Sequence, residues 1–174
     1  SVAILRGRRA NGAPDGTFGA QLTFPVGTRP NDLAIGDLDG NGVLDLVTAD
    51  GAGTLSLLVG GAQAGEWNET FSAPWSQPLP GPGTSVAIVD LDRDEVAEVV
   101  VASLGNGDVT VLDLVPTATP PDAPFSIRWQ GDAPYNPGSL VVADLDGDGV
   151  VDLVTAHTVV GSQIATYRGN GDGT

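Results

Sequence analysis

One seven-residue pattern occurs three times in this chain of 174 residues. Its copies are Leu33–Asp39, Val86–Asp92 and Leu140–Asp146, and each copy ends in Asp-Leu-Asp. The first aspartate of the three endings stands at 37, 90 and 144, so the copies are 53 and 54 residues apart (90 − 37 and 144 − 90). A fixed period of this length indicates a repeat architecture, in which each unit buries its apolar face against the next.

Aromatic residues keep the same register as the Asp-Leu-Asp pattern. Phe18, Phe71 and Phe125 lie one period apart, and four residues after each comes a further large side chain. These followers are Leu22, Trp75 and Trp129. Alternation around the aromatic residues predicts a strand in each unit with its large side chains on one face.

The sequence pattern of each unit predicts four short strands and no helix. The first strand leads into an acidic loop, and the second is an apolar, β-branched run, which is typical of a strand buried on both faces. The third is a shorter apolar run, and the fourth carries the aromatic residues. The first three strands are predicted at 31–37, 44–49 and 55–59, at 84–90, 97–102 and 109–114, and at 138–144, 151–156 and 163–168.

Short strands at this period predict an all-β fold of the β-propeller type, or a related β-array, built from about three repeats of four-stranded antiparallel blades. We interpret residues 1–174 as a single repeat domain. Its units are 1–54, 55–108, 109–162 and a partial unit, 163–174. Closed propellers use about four to eight blades, so we expect a ring that is incomplete or is completed by another chain, with assembly into a fibre as one outcome. The start at Ser1, without an initiator Met or a signal-peptide pattern, indicates a processed chain or a fragment.

The loop that follows each first strand carries oxygen-bearing side chains at positions one, three, five and nine. Together with a backbone carbonyl at position seven, such a set suits a hard cation such as calcium. The predicted ligands are Asp37, Asp39, Asn41, Val43 and Asp45 in the first loop, Asp90, Asp92, Asp94, Val96 and Glu98 in the second, and Asp144, Asp146, Asp148, Val150 and Asp152 in the third.

The alternative is an Asp/Gly-rich hairpin turn that holds no metal. Two carboxylates about 4 Å apart repel by roughly 4 kcal/mol at an effective dielectric constant near 20. This repulsion favours a loop that binds a cation over a loop that holds no metal. The ligand and glycine pattern is complete in the first and third loops, which predicts two calcium sites. The second loop is predicted as a third calcium site, but it matches the pattern less completely. Arg93 adds positive charge there, and Glu95 stands where a left-handed turn favours glycine.

Charge and composition exclude several classes of protein. Seven basic residues stand against 22 acidic ones, for a net charge of −15. This balance argues against nucleic acid and anionic membranes as partners, because both need a basic face. The absence of cysteine excludes a disulfide scaffold, a zinc–thiolate site and thiol catalysis.

A few further residues are candidates for function. His157, the only histidine, reads as a polar strand end, with a catalytic base as the alternative. Trp67 lies outside the aromatic register and could stack on a sugar ring. Asn68 begins an Asn-Glu-Thr glycosylation sequon, and Thr117 and Thr119 lie in a Thr/Pro-rich segment that permits O-glycosylation.

The acidic loops and Phe18-Gly19 resemble the FG-GAP/VCBS repeat family, which includes the integrin-α-type calcium-binding propellers. Ser72 and Ser126 replace the glycine of that aromatic–glycine signature in the later units. The resemblance implies a secreted or cell-surface setting, calcium as a structural ion, and adhesion, carbohydrate binding or scaffolding as roles; it supplies no catalytic residue.

Three functions are therefore considered. The first is a calcium-stabilised extracellular module with a structural, adhesion or scaffold role, whose partners are other copies of itself or further propeller blades. The second is a lectin that binds glycans or cell-surface proteins. A polysaccharide-degrading enzyme is the least supported, because no convergent acid/base set is present, and we expect no catalytic activity.

Overall fold

The computed structural model describes residues 1–105, 108–115, 124–133, 136–157 and 163–174. Within these ranges every regular element is a β-strand, which confirms the all-β prediction. No helix there is long and apolar enough to span a membrane. The strands are β1 (Val2–Ala10), β2 (Ala13–Phe24), β3 (Pro30–Gly36), β4 (Asp45–Asp50), β5 (Thr54–Leu58), β6 (Gly60–Gln63), β7 (Glu66–Phe71), β8 (Trp75–Pro78), β9 (Gly83–Val89), β10 (Glu98–Ser103), β11 (Asp108–Leu114), β12 (Phe125–Asp132), β13 (Pro137–Ala143), β14 (Asp152–His157) and β15 (Ile164–Tyr167).

Three antiparallel sheets follow one another along the chain. The first sheet has the order β3-β4-β5-β8, the second β9-β10-β11-β12, and the third β13-β14-β15. They begin at residues 30, 83 and 137, and thus keep the spacings of 53 and 54 residues (83 − 30 and 137 − 83). The sheets start well inside the units 1–54, 55–108 and 109–162 drawn from the period. Among the described residues no sheet closes on itself.

Two smaller hairpins complete the architecture. β1 pairs with β2 at the start of the chain. β6 pairs with β7, and this hairpin is inserted between the third and fourth strands of the first sheet. The sequence pattern did not predict the inserted hairpin.

The second strand of the first two sheets is buried along its whole length. All six residues of β4 and all six of β10 are buried, as their continuous apolar runs predicted. Side chains of β10 alternate between two cores, because neighbouring residues of a strand point to opposite faces. Val99 and Val101 belong to the first core, whereas Val100 and Ala102 belong to the second.

Each core lies between two successive sheets. The first core combines residues of the first and second sheets, including Leu55 and Val86. The second core combines residues of the second and third sheets, including Val109 and Leu140. A third, smaller core joins the N-terminal hairpin to the outer face of the first sheet through Val2. The sheets are therefore stacked face to face, in chain order.

Equivalent hydrogen bonds also link the first strands of neighbouring sheets. The Asn31 side-chain amide donates to the carbonyl of Gly83 at 2.7 Å. One period later, the Thr84 hydroxyl donates to the carbonyl of Pro137, also at 2.7 Å. The repeat thus preserves a side-chain contact as well as the strand order.

The prediction that the aromatic residues of a unit share one face is wrong. In the second sheet, Phe125 belongs to the first core, whereas Trp129 packs against the second. The register between β11 and β12 shifts by one residue at Arg128, and a bulge of this kind turns the following side chains to the opposite face. Beside the first sheet, Phe71 lies on β7 of the inserted hairpin, and only Trp75 lies on β8, the fourth strand of that sheet.

Candidate metal centres

Three acidic loops occupy the same place in the three sheets, between the first and the second strand. In each loop, carboxylate oxygens of three residues lie within 4.8 Å of one another and could hold a metal ion. The three groups are Asp37, Asp39 and Asp45 in the first loop, Asp90, Asp92 and Asp94 in the second, and Asp144, Asp146 and Asp152 in the third. The fold therefore brings together most of the predicted side-chain ligands.

The carboxylate at position one organises each loop. In the first loop, Asp37 accepts hydrogen bonds from the backbone N–H groups of Asn41 and Gly42, at 3.1 and 2.8 Å. In the third, Asp144 accepts from Gly147 and Gly149, at 2.7 and 2.9 Å. These bonds curl the backbone around the carboxylate, so that the side chains of the loop converge.

Positions four and six of every loop have a left-handed backbone. In the first loop these are Gly40 and Gly42, with φ of 71° and 82°. In the second loop they are Arg93 and Glu95, with φ of 64° and 70°, as the sequence suggested for Glu95. A side chain in this conformation costs roughly 1–2 kcal/mol. Asp90 offsets that strain by accepting from the Arg93 and Glu95 N–H groups, at 2.6 and 3.0 Å.

Positions five and seven are coupled in the same way in all three loops. A side-chain oxygen at position five accepts from the N–H of the valine at position seven. The donor–acceptor distances are 2.7 Å for Val43 to Asn41, 2.8 Å for Val96 to Asp94, and 2.8 Å for Val150 to Asp148. One oxygen of each position-five side chain is thus used within the loop.

The buried acid at position nine has a second role that sequence reasoning missed. Asp45 accepts from the N–H of Leu38 at 2.9 Å and from that of Gly60 at 2.8 Å. Asp152 repeats this with Leu145 and Gly169, both at 3.0 Å. The acid therefore ties the start of its loop to the backbone that follows the third strand. The only sequence signal for this role is that position nine opens the buried second strand.

Burial disfavours the charged form of two position-nine acids, Asp45 and Glu98. Burial raises the pKa of Asp45, and the neighbouring carboxylates of Asp39 and Asp37 add to the rise, against hydrogen bonds from Gly60 and Leu38 that lower it. Burial also raises the pKa of Glu98. A cation bound in the loop would favour the charged form of these acids.

Two of the loops contact an arginine. In the second, a hydrogen bond from Arg128 holds the pKa of Asp92 below its usual range, and the same contact raises the pKa of Arg128. In the third, Nη2 of Arg168 lies 2.8 Å from an oxygen of both Asp146 and Asp148, and its hydrogen bond lowers the pKa of Asp148. Within the described residues, no ion pair reaches the first loop.

The remaining candidates lie apart from the loops. His157 is buried at the end of β14, where Nε2 lies 3.0 Å from Oγ1 of Thr155. Asn68 lies exposed on β7, and its side-chain oxygen accepts from the N–H and the hydroxyl of Thr70. Thr117 and Thr119 lie outside the described residues.

Trp67 borders an apolar cavity beside the first loop. Its Nε1 donates to the carbonyl of Thr70 at 2.9 Å, and its ring centroid lies 5.6 Å from that of Phe71. The cavity has a volume of about 380 Å³, and Ile35 and Leu44 are among its lining residues. Trp75 and Trp129, by contrast, are partly buried against the cores between the sheets.

Comparison with known proteins does not assign the chain to a family. No protein-family model matches it, and neither does any curated protein.

Proposed function

We propose that this chain is a calcium-stabilised extracellular module of the β-propeller type, with a structural, adhesion or scaffold role and no catalytic activity. The observation that carries the proposal is the recurrence of one acidic loop at one place in three stacked sheets, each time with three carboxylates within 4.8 Å. A set made only of oxygen atoms suits calcium, which accepts six to eight oxygen ligands in flexible geometry.

The stacking of the sheets supports the propeller-type architecture. Propeller blades are four-stranded sheets arranged around a central channel. Here the first strands are successive neighbours, with β9 lying against both β3 and β13, and the sheets pack face to face. The FG-GAP/VCBS resemblance of the loops agrees with this arrangement.

An extracellular setting follows from the kind of calcium site proposed. Most of the loop carboxylates are exposed or half-buried, and one side-chain oxygen at position five is already hydrogen-bonded within the loop. Calcium sites of extracellular modules are weak, with Kd of about 10⁻⁴ to 10⁻³ M. Loops of this kind would be filled where calcium is abundant, as it is outside cells.

The outer face of the third sheet supports a scaffold role. Ile164 is 72% exposed, whereas Leu55 and Val109, which hold the same place in the first and second sheets, are fully buried. Leu145 is 54% exposed, although its counterparts Leu38 and Leu91 are buried in the two inter-sheet cores. We therefore propose that a further sheet of the same type covers this face, supplied by further blades or by another copy of the chain in a fibre.

Calcium is expected to raise the melting temperature. A site with free calcium at 100 times its Kd stabilises the folded state by about 2.7 kcal/mol, which for a domain of this size is a rise of about 5–10 °C. Differential scanning calorimetry in a chelator and in about 10–100 mM calcium, which is 100 times the Kd expected for such a site, measures this. Magnesium is the matched control and should give a smaller rise, because it demands near-ideal octahedral geometry. An unchanged melting temperature in calcium would contradict the proposal.

A lectin is the second candidate, favoured by the cavity beside Trp67. An indole ring at the edge of an open apolar cavity can stack on a sugar. If the chain binds glycans there, Trp67→Ala should abolish binding on a glycan array. Phe18→Ala is the matched control, since Phe18 is exposed on β2, away from this cavity. Equal binding by the wild type and Trp67→Ala would exclude the cavity as a sugar site.

A further inference from the structure

Arg128 extends from the fourth strand of the second sheet into the second acidic loop. Its Nη1 lies 2.5 Å from Oδ2 of Asp92, at position three of the loop. Its Nη2 lies 3.5 Å from Oε1 of Glu98, at position nine. One guanidinium therefore contacts two of the residues predicted to hold the metal, across a sequence distance of 36 residues in the case of Asp92.

The guanidinium contacts the same two loop positions that contribute carboxylates to the acidic groups of the other loops. Positions three and nine both belong to the carboxylate groups of the first and third loops. In the second loop, the corresponding group contains Asp94 instead of Glu98. Glu98 uses its other oxygen, Oε2, to accept from the Leu91 N–H at 2.7 Å. Its remaining oxygen, Oε1, thus faces a guanidinium, where the corresponding oxygens of Asp45 and Asp152 face backbone N–H groups.

Arg128 is also held in position from outside the loop. Its Nε donates to Asp113 of β11 at 2.7 Å, and Nη1 lies 3.3 Å from the carbonyl oxygen of Asp172. Its side chain is only 23% exposed. Little side-chain freedom is left to lose, and a partly buried ion pair of this kind is weakened less by solvent and salt than a surface pair.

Arg168, the arginine at the third loop, differs from Arg128 in its exposure and in the loop positions that it contacts. Its side chain is 69% exposed, and its ion pairs reach positions three and five, leaving the position-nine acid Asp152 to its backbone partners. Exposed ion pairs contribute about 0–1 kcal/mol. Calcium can therefore displace Arg168 at little cost, whereas displacing Arg128 would break three carboxylate contacts.

We infer that Arg128 is a built-in cation that replaces calcium in the second loop, so that the chain binds two calcium ions, in its first and third loops. This inference rests on the proposed function, since it assumes that the first and third loops bind calcium. On this inference, the left-handed backbone of Arg93 and Glu95 belongs to a loop whose shape is maintained by contacts within the protein and not by a bound metal.

The number of calcium ions bound by the intact chain tests the inference. Isothermal titration with calcium should give two ions for the wild type and three for Arg128→Gln, which removes the charge and frees Asp92 and Glu98. Arg128→Lys keeps a cation and should stay at two. Arg168→Gln is the matched control and should also stay at two, with tighter binding at the third loop.

A second pair of variants keeps the test decisive if Arg128→Gln does not fold. Asp90→Asn alters the second loop and should leave the count at two, whereas Asp37→Asn alters the first loop and should lower it to one. Three ions bound by the wild type would overturn the role of Arg128 while supporting the calcium proposal. No binding at all would instead overturn the calcium proposal itself.

Discussion

Leu55→Ala is expected to destabilise the chain by about 2–5 kcal/mol, the usual range for deleting a fully buried leucine from a packed core. Leu55 is completely buried on β5, in the core between the first and second sheets. Truncation leaves a cavity that the flanking strands can close only in part, because their backbones are fixed by hydrogen bonds on both sides. Urea unfolding followed by far-UV circular dichroism measures the loss.

Ile164→Ala is the matched control. Ile164 pairs with Ala156 as Leu55 pairs with Ala49, so the two residues hold the same place in different sheets. Because Ile164 is exposed, its truncation should change the free energy of unfolding by no more than about 0.5 kcal/mol. Similar losses in both variants would contradict the stacked order of the sheets.

Ile164 also reports on assembly. If a further sheet covers the end face, Ile164→Ala should weaken association between chains without weakening the fold. Sedimentation velocity over a concentration series separates these effects, since it measures association in the native state. Only dispersed monomers of the wild type, by sedimentation and by electron microscopy, would contradict assembly between copies.

Asp45→Ala is expected to cost about 2–6 kcal/mol even in the presence of a chelator. The substitution leaves the N–H groups of Leu38 and Gly60 without their acceptor, and an unsatisfied buried donor costs about 1–3 kcal/mol. The loss is partly offset because burial already disfavours the charged form of Asp45. Most of the expected loss in the free energy of unfolding therefore comes from the missing hydrogen bonds, and loss of metal binding adds to it.

Asp39→Ala provides the comparison within the same loop. Asp39 is exposed, and among the described residues its hydrogen bonds go only to Asn41. In chelator, the free energy of unfolding of this variant should lie within about 0.5 kcal/mol of that of the wild type. In calcium, both Asp39→Ala and Asp45→Ala should lose the stabilisation that calcium binding to the first loop provides. Equal stability of Asp45→Ala and the wild type in chelator would refute the structural role of position nine.

Much of the fold could be predicted from local patterns. The 53- and 54-residue spacing located the three sheets, and continuous apolar runs identified β4 and β10 as strands buried on both faces. The acidic loops could also be predicted from the sequence, because their glycines and acids lie close together in the chain. Turn geometry and strand alternation depend on neighbouring residues, so a short segment carries that information.

Features that depend on contacts between distant segments were not predictable. The bulge at Arg128 sends Phe125 and Trp129 to different cores, and a one-residue shift in pairing has no signature in the strand itself. The same applies to the inserted hairpin β6–β7 and to the bond from Gly60 to Asp45. Each depends on which strands become neighbours.

The sequence by itself determined that this chain is an all-β repeat with three acidic loops, because period, alternation and turn residues act over a few positions. Only the tertiary structure decided how each loop is completed. It brings Arg128 to the second loop, leaves the first without an ion pair among the described residues, and buries the position-nine acids against backbone donors. Charges separated by dozens of residues interact only after packing has placed them a few ångströms apart.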